Sequence, residues 1–103
     1  MNQIKKGKNS FFIGESEDYS TAIISFFYEN ERVIIVDHTY VSEELRGQGI
    51  AKKLLDELVD FARNEGIKII PECSYVKKVF ENDPAYRDII KLQKQEKSIG
   101  GEK

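Results

Sequence analysis

Cysteine occurs once in this sequence, at Cys73, so an internal disulfide is impossible. A lone thiol fits the cytoplasm, and Met1 to Ser10, basic and polar with no apolar stretch behind it, does not read as a signal peptide. Long hydrophobic runs are missing too. No stretch approaches the roughly 18 apolar residues that a membrane helix needs, so no membrane association is expected. An excess of basic charge is also absent. Lysine plus arginine number 16 against 18 aspartates plus glutamates, leaving a net charge of -2. Nonspecific nucleic-acid binding needs a basic surface to displace counterions, so no nucleic-acid partner is expected. A local basic pocket for a phosphorylated ligand remains compatible with that balance. No metal site is expected.

What is present suits one compact domain over residues 1–92, with a polar tail over 93–103 expected to be disordered. Residues 1–9 are expected to fray. Phe11 to Ile13 reads as a short strand, Tyr19 to Tyr28 as a second, and Arg32 to Val41 as a third. Val33 to Val36 is continuously apolar, which predicts a strand covered on both faces. Three such strands can form an antiparallel meander. From Gly49 the period changes. Ile50, Ala51, Leu54, Leu55, Leu58, Val59 and Ala62 recur at helical spacing, and Gly66 is placed to cap the helix. Ile67 to Cys73 reads as a fourth strand, parallel to the third through a right-handed crossover. Ser74 is placed to cap a second helix carrying Tyr75, Val76, Val79 and Phe80, which Pro84 interrupts. Ala85 to Leu92 is expected to add a last helical turn that packs Tyr86, Ile89 and Ile90.

The junction Arg46-Gly47-Gln48-Gly49-Ile50-Ala51 carries the chemistry. The first turn of a helix has unsatisfied amide donors and a partial positive charge, and phosphates bind there. Gly47 and Gly49 let an anion approach the backbone; Arg46, Lys52 and Lys53 add charge. A P-loop would need lysine then serine or threonine after the last glycine, but Lys53 and Leu54 follow Lys52. A dinucleotide fold would need a third small residue where Lys52 stands. An ordinary glycine-containing turn between strand and helix stays open on these residues alone.

Arg46, Gly49 and Ala51 fit a third pattern: Arg or Gln, two residues, Gly, one residue, then Gly or Ala. This resembles the pyrophosphate-binding motif of the GNAT acyltransferase superfamily. His38-Thr39, Pro71 to Val76 and Asp83 to Tyr86 are similar to a small branch of it that holds only the cofactor-binding half. The resemblance covers roughly Arg32 to Ile90. It implies an α/β (α+β) minimal GNAT fold, an antiparallel meander joined to a parallel β-α-β unit with a further helix. It implies acetyl-CoA (coenzyme A) as co-substrate, held by Thr39, Tyr40, Val41, Arg46, Gly47, Gln48, Gly49, Ile50, Ala51, Lys52 and Ser74.

The implied activity is N-acetyl transfer to an amine acceptor: a protein lysine, a protein terminus or a polyamine. Following the resemblance, the thioester is expected beside His38 and Cys73, the candidate catalytic pair. Either a Cys73 thiolate accepts the acetyl group, or His38 deprotonates the amine while Cys73 protonates the leaving thiolate. Cys73 as a small buried hydrophobe and His38 as a sheet residue are the plain alternatives. The sequence departs from larger GNAT enzymes by lacking the helices that cover the acceptor, the last pair of strands and a clear general-acid tyrosine. Phe80 lies near that tyrosine's place. A module that binds acetyl-CoA or a protein without turnover is therefore the rival, and a nucleotide-phosphate binder is a third reading.

Overall fold

The computed structural model describes residues 3–91. The tail expected from Gln93 onward, and Leu92 before it, lie outside them. Five strands are formed: β1 (Lys5–Lys6), β2 (Ser10–Gly14), β3 (Ser20–Asn30), β4 (Val33–Val41) and β5 (Lys68–Pro71). Helix α1 (Ile50–Glu65) joins β4 to β5, and α2 (Ser74–Asn82) follows. The strands make one sheet in chain order. The first four are antiparallel, and β4 and β5 are parallel, as the crossover predicts.

Alternation explains which face is filled. Ala22, Ile24 and Phe26 of β3 and Ile34 and Val36 of β4 are buried on one side of the sheet. Leu54, Leu55, Leu58, Val59 and Ala62 of α1 pack onto them. The helix is bounded by two glycines in the left-handed region, Gly49 at φ 72° and Gly66 at φ 70°. Side-chain residues rarely adopt such angles, so each glycine fixes where the helix stops. Arg63 ties its last turn to the C-terminal turn. Its Nε and Nη2 donate to the two carboxylate oxygens of Asp88 at 3.0 and 2.9 Å, and the guanidinium holds that carboxyl below its usual range.

Several expectations change. Residues 5 and 6 are not frayed but form β1, pairing Lys5 with Phe12 and Lys6 with Phe11. Only the backbone of β1 pairs, so its exposed lysines gave no apolar signal. β4 is covered by α1 on one face, and Ile35 on the other stays partly exposed. The fourth strand ends at Pro71 rather than Cys73, because the amides of Glu72 and Cys73 both turn onto the Val36 carbonyl. Cys73, not Ser74, is the N-cap residue of α2, and its side chain makes no cap bond. After Pro84 comes a short 3-10 turn, Pro84–Tyr86, and Ile90 then bridges Ile69 in strand fashion. Among the described residues no helix is long and apolar enough to cross a membrane.

Tyr86 anchors that C-terminal turn. It is buried, its ring packs tilted against that of Phe80 at 5.0 Å between centroids, and its hydroxyl donates to Asp56 Oδ1 of α1 at 2.8 Å. Burial pushes its phenol up. Tyr86→Phe removes the donor and leaves Asp56 open to water, so the expected loss is about 1 kcal/mol. Thermal unfolding should fall by about 4–8 °C for a domain of this size. An unchanged midpoint would show that the ring alone holds the turn.

Candidate functional site

The site begins where β4 and β5 part. Their last register pair is Val36 with Pro71. Beyond it β4 continues for five residues against β3 alone. A bulge helps the strands separate. Ser25 pairs with His38 and Phe26 with Val36, so Asp37 is an extra residue. Backbone groups alternate in direction along a strand. Ser42 N–H bonds Thr21 of β3, while the Val41 carbonyl faces away and accepts from Arg46 Nε at 3.0 Å. The same alternation turns the amides of Thr39 and Val41 toward the gap left by β5.

A cleft of about 360 Å³ opens at the end of this gap. It is lined by Val41 and Leu45, by Arg46, Gly47 and Gly49, by the first turn residues Ile50, Ala51 and Lys52, and by Tyr75 of α2. Gly47 has φ 83° and Gly49 φ 72°. No atom lies within 4 Å of the place a Cβ would take at either glycine. Positive φ therefore selects glycine here, and the space beside it is free. The first turn of α1 contains no acidic residue. Its amides have no helical partners and carry the positive end of the helix dipole. Lys52 adds a cation, 3.4 Å from Asp56 and 5.7 Å from the Tyr86 ring centre. The Tyr86 side chain, and then Asp56, raise the Lys52 ammonium above its usual range. The result is a cationic mouth on an apolar wall, suited to a ligand with phosphates at one end and a neutral arm.

The expected residues divide into groups. Val41, Arg46, Gly47, Gly49, Ile50, Ala51 and Lys52 are brought together at the cleft. Gln48 is not among its walls; its amide nitrogen donates to the Glu44 carbonyl at 3.3 Å. Ser74 is exposed on the first turn of α2 and stands away from the cleft walls. Tyr40 is 43% exposed and turns its ring to the open face of the sheet, so only its backbone lies near the gap.

Cys73 and His38, expected side by side, are not paired. Cys73 Sγ lies 3.3 Å from Thr39 Oγ1, on the α1 side. The bulge puts His38 in register with Ser25, on the opposite face. A one-residue register shift exchanges the faces of a strand, and Asp37 supplies that shift.

Tyr75, placed by its spacing on the apolar side of the second helix, packs half-buried against the core cluster and also lines the cleft. Burial pushes its phenol up, so it stays protonated. The signal that could have found it is its place on the first turn after the fourth strand, beside the parting strands.

A family model described as GCN5-related N-acetyl-transferase matches residues 10–89. Protein NATD1 of Mus musculus is 31% identical over 75 residues, spanning 73% of this chain and 68% of the relative. The NMR structure of a GCN5-like protein from Staphylococcus aureus is 38% identical, with TM-score 0.74, covering 93% of this chain and 94% of that one. A GNAT family acetyltransferase from Elizabethkingia anophelis, solved with acetyl-CoA bound, shares the fold at TM-score 0.52 and 14% identity. That match covers 71% of this chain and 50% of the other.

Proposed function

The chain belongs to the GCN5-related N-acetyltransferase family, and on that premise we propose that it binds acetyl-CoA at the start of α1 and transfers the acetyl group to a primary amine. The observation that carries this reading is the acid-free first turn of α1, flanked by two positive-φ glycines and opening into the cleft with Arg46 and Lys52. That the fold is shared with a protein solved with acetyl-CoA supports it. Amides of Ile50, Ala51 and Lys52 bind the pyrophosphate, and Arg46 and Lys52 offset its charge. The pantetheine arm lies along the outward amides of Thr39 and Val41, with Tyr40 between them.

Direct transfer is favoured over an acetyl-cysteine because Cys73 and His38 face opposite sides of the sheet. In this scheme His38 takes a proton from the amine, and the Cys73 thiol, held by Thr39, protonates the leaving sulfur. The acceptor is a protein lysine, a protein terminus or a polyamine. The lone thiol suits a cytoplasmic setting.

The test is a residue-resolved NMR titration with acetyl-CoA, joined to thiol release over a panel of amines. Saturable shifts at Val41 and residues 46–52 are expected, with amine-dependent thiol release. No shifts there would end the reading, and displacement by nucleotides rather than coenzyme A would favour a nucleotide-phosphate binder. Binding without turnover would leave an acetyl-CoA-binding module. Cys73→Ala should keep coenzyme A affinity and lose at least tenfold in kcat. A normal rate would make Cys73 a packing residue beside Thr39.

A further inference from the structure

The open face of the sheet carries side chains that the cofactor cleft does not use. Ile23, Ser25 and Phe27 of β3 alternate with the buried Ala22, Ile24 and Phe26, so they point away from α1. In register beside them on β4 are Tyr40, His38 and Ile35. Alternation from the buried Val36 puts Asp37 on this face, and the bulge brings His38 onto it as well instead of letting it point to α1. Ser25 Oγ donates to Asp37 Oδ1 at 3.0 Å. A polar row of Ser25, Asp37 and His38 therefore crosses the face between two apolar rows, Phe27 with Ile35 and Ile23 with Tyr40. No ion pair engages Asp37 among the described residues.

The place of this row matters. Val36 and Pro71 are the last paired residues before β4 and β5 part. Asp37 and His38 are the next two on β4, at the apex of the gap through which an acyl group held on the α1 side would be reached from the open face.

We infer that Asp37, oriented by Ser25, receives the ammonium group of the acyl acceptor, and that the acceptor is a primary amine on an unbranched aliphatic stem. The inference rests on the acetyl-transfer reading above and adds the acceptor's site and chemical class. A carboxylate with one oxygen engaged by Ser25 keeps the other for a charge-assisted bond to an ammonium. Phe27 and Tyr40 are 45% and 43% exposed and offer apolar surface to the methylenes. An anionic acceptor is repelled by Asp37. A branch beside the nitrogen would meet the side chains of Phe27 and Tyr40, whose rows flank the polar row.

The bound ammonium gives one proton to the His38 imidazole, and its freed lone pair attacks the thioester carbonyl carbon. The carbon–nitrogen bond forms and the carbon–sulfur bond breaks. Cys73 protonates the leaving sulfur and is reprotonated by the second proton that the adduct's nitrogen releases, and the imidazole returns its own to water. The products are one amide, one thiol and one released proton. Asp37 acts as a binding group in this sequence, and Ser25 as a positioning residue.

The experiment uses n-hexylamine as the acceptor probe. Asp37→Asn should raise KM for n-hexylamine at least tenfold, with kcat changed less than about twofold and acetyl-CoA affinity unchanged. Ser25→Ala should move KM the same way by about threefold. A purely structural role would change both kinetic constants or cofactor binding instead.

Independently of turnover, NMR titration of the wild-type protein with n-hexylammonium should give saturable shifts at Ser25, Asp37 and His38. The neutral n-hexanol should not. An unchanged KM in Asp37→Asn, shifts confined to other residues, or equal shifts with n-hexanol would overturn the inference. Failure of acetyl-CoA to bind would sink the transferase reading instead, and the ammonium titration would still decide whether Asp37 is a cation site.

Discussion

Gly49→Val is expected to weaken coenzyme A binding by tenfold or more, while Gly66→Val leaves it unchanged. The two glycines are a matched pair. They bound the same helix, at φ 72° and 70°, and neither has an atom within 4 Å of the place a Cβ would occupy. Valine at either should cost about 1–2 kcal/mol through left-handed backbone strain. Total stabilities of about 5–15 kcal/mol leave both variants folded. The difference lies in what borders the free space. At Gly49 it is the cleft wall with Arg46, Ala51 and Lys52. At Gly66 it is the far end of a 16-residue helix, about 24 Å away at 1.5 Å per residue. Calorimetric titration of both variants measures the contrast. Equal losses of affinity would mean that strain in α1 alone is felt by the ligand. Unchanged affinity in Gly49→Val would mean that the first turn is not the anion site.

Leu58→Ala should have the largest effect on stability, a loss of about 2–5 kcal/mol. Leu58 is fully buried at the middle of α1, within the cluster formed with β3 and β4. Truncation removes apolar contact and leaves a void that the sheet, pinned by its hydrogen bonds, cannot close. Against the stability of a small domain this is a large fraction, and urea denaturation should show a midpoint far below wild type. A loss under about 1 kcal/mol would show that the helix can settle onto the sheet.

Features set by local pattern were legible in the sequence. The apolar period from Ile50 to Ala62 fixed α1, and Gly66 marked its end as the structure has it. The strand-helix-strand order gave the parallel pairing of β4 and β5. The loop from Arg46 to Ala51, read for its glycines and charge, largely forms one wall of the cleft. Features set by a partner were not legible. The bulge at Asp37 depends on how β3 aligns with β4, and it decides that His38 takes the open face and Thr39 the α1 side rather than the reverse. Lys5 and Lys6 are a strand only because Phe11 and Phe12 lie alongside. Tyr75 has the composition of a core residue, and its position at the cleft follows from where β5 stops, two residues before the Cys73 cap.

The order of the strands has a consequence for the growing chain. Each strand from β1 to β5 pairs with the one made just before it, and Ile90 then bridges β5 at the outer edge. No strand must be inserted between two already joined, which keeps most closing loops short and favours quick assembly. The β1–β4 meander can therefore pair while synthesis continues. Yet Ile24, Phe26, Ile34 and Val36 share their core with α1 and the elements after it, whose residues emerge after position 49. Until then the nascent sheet shows water a greasy face with nothing to hold it, so a chain stalled near position 48 should be a client for chaperones and prone to clump.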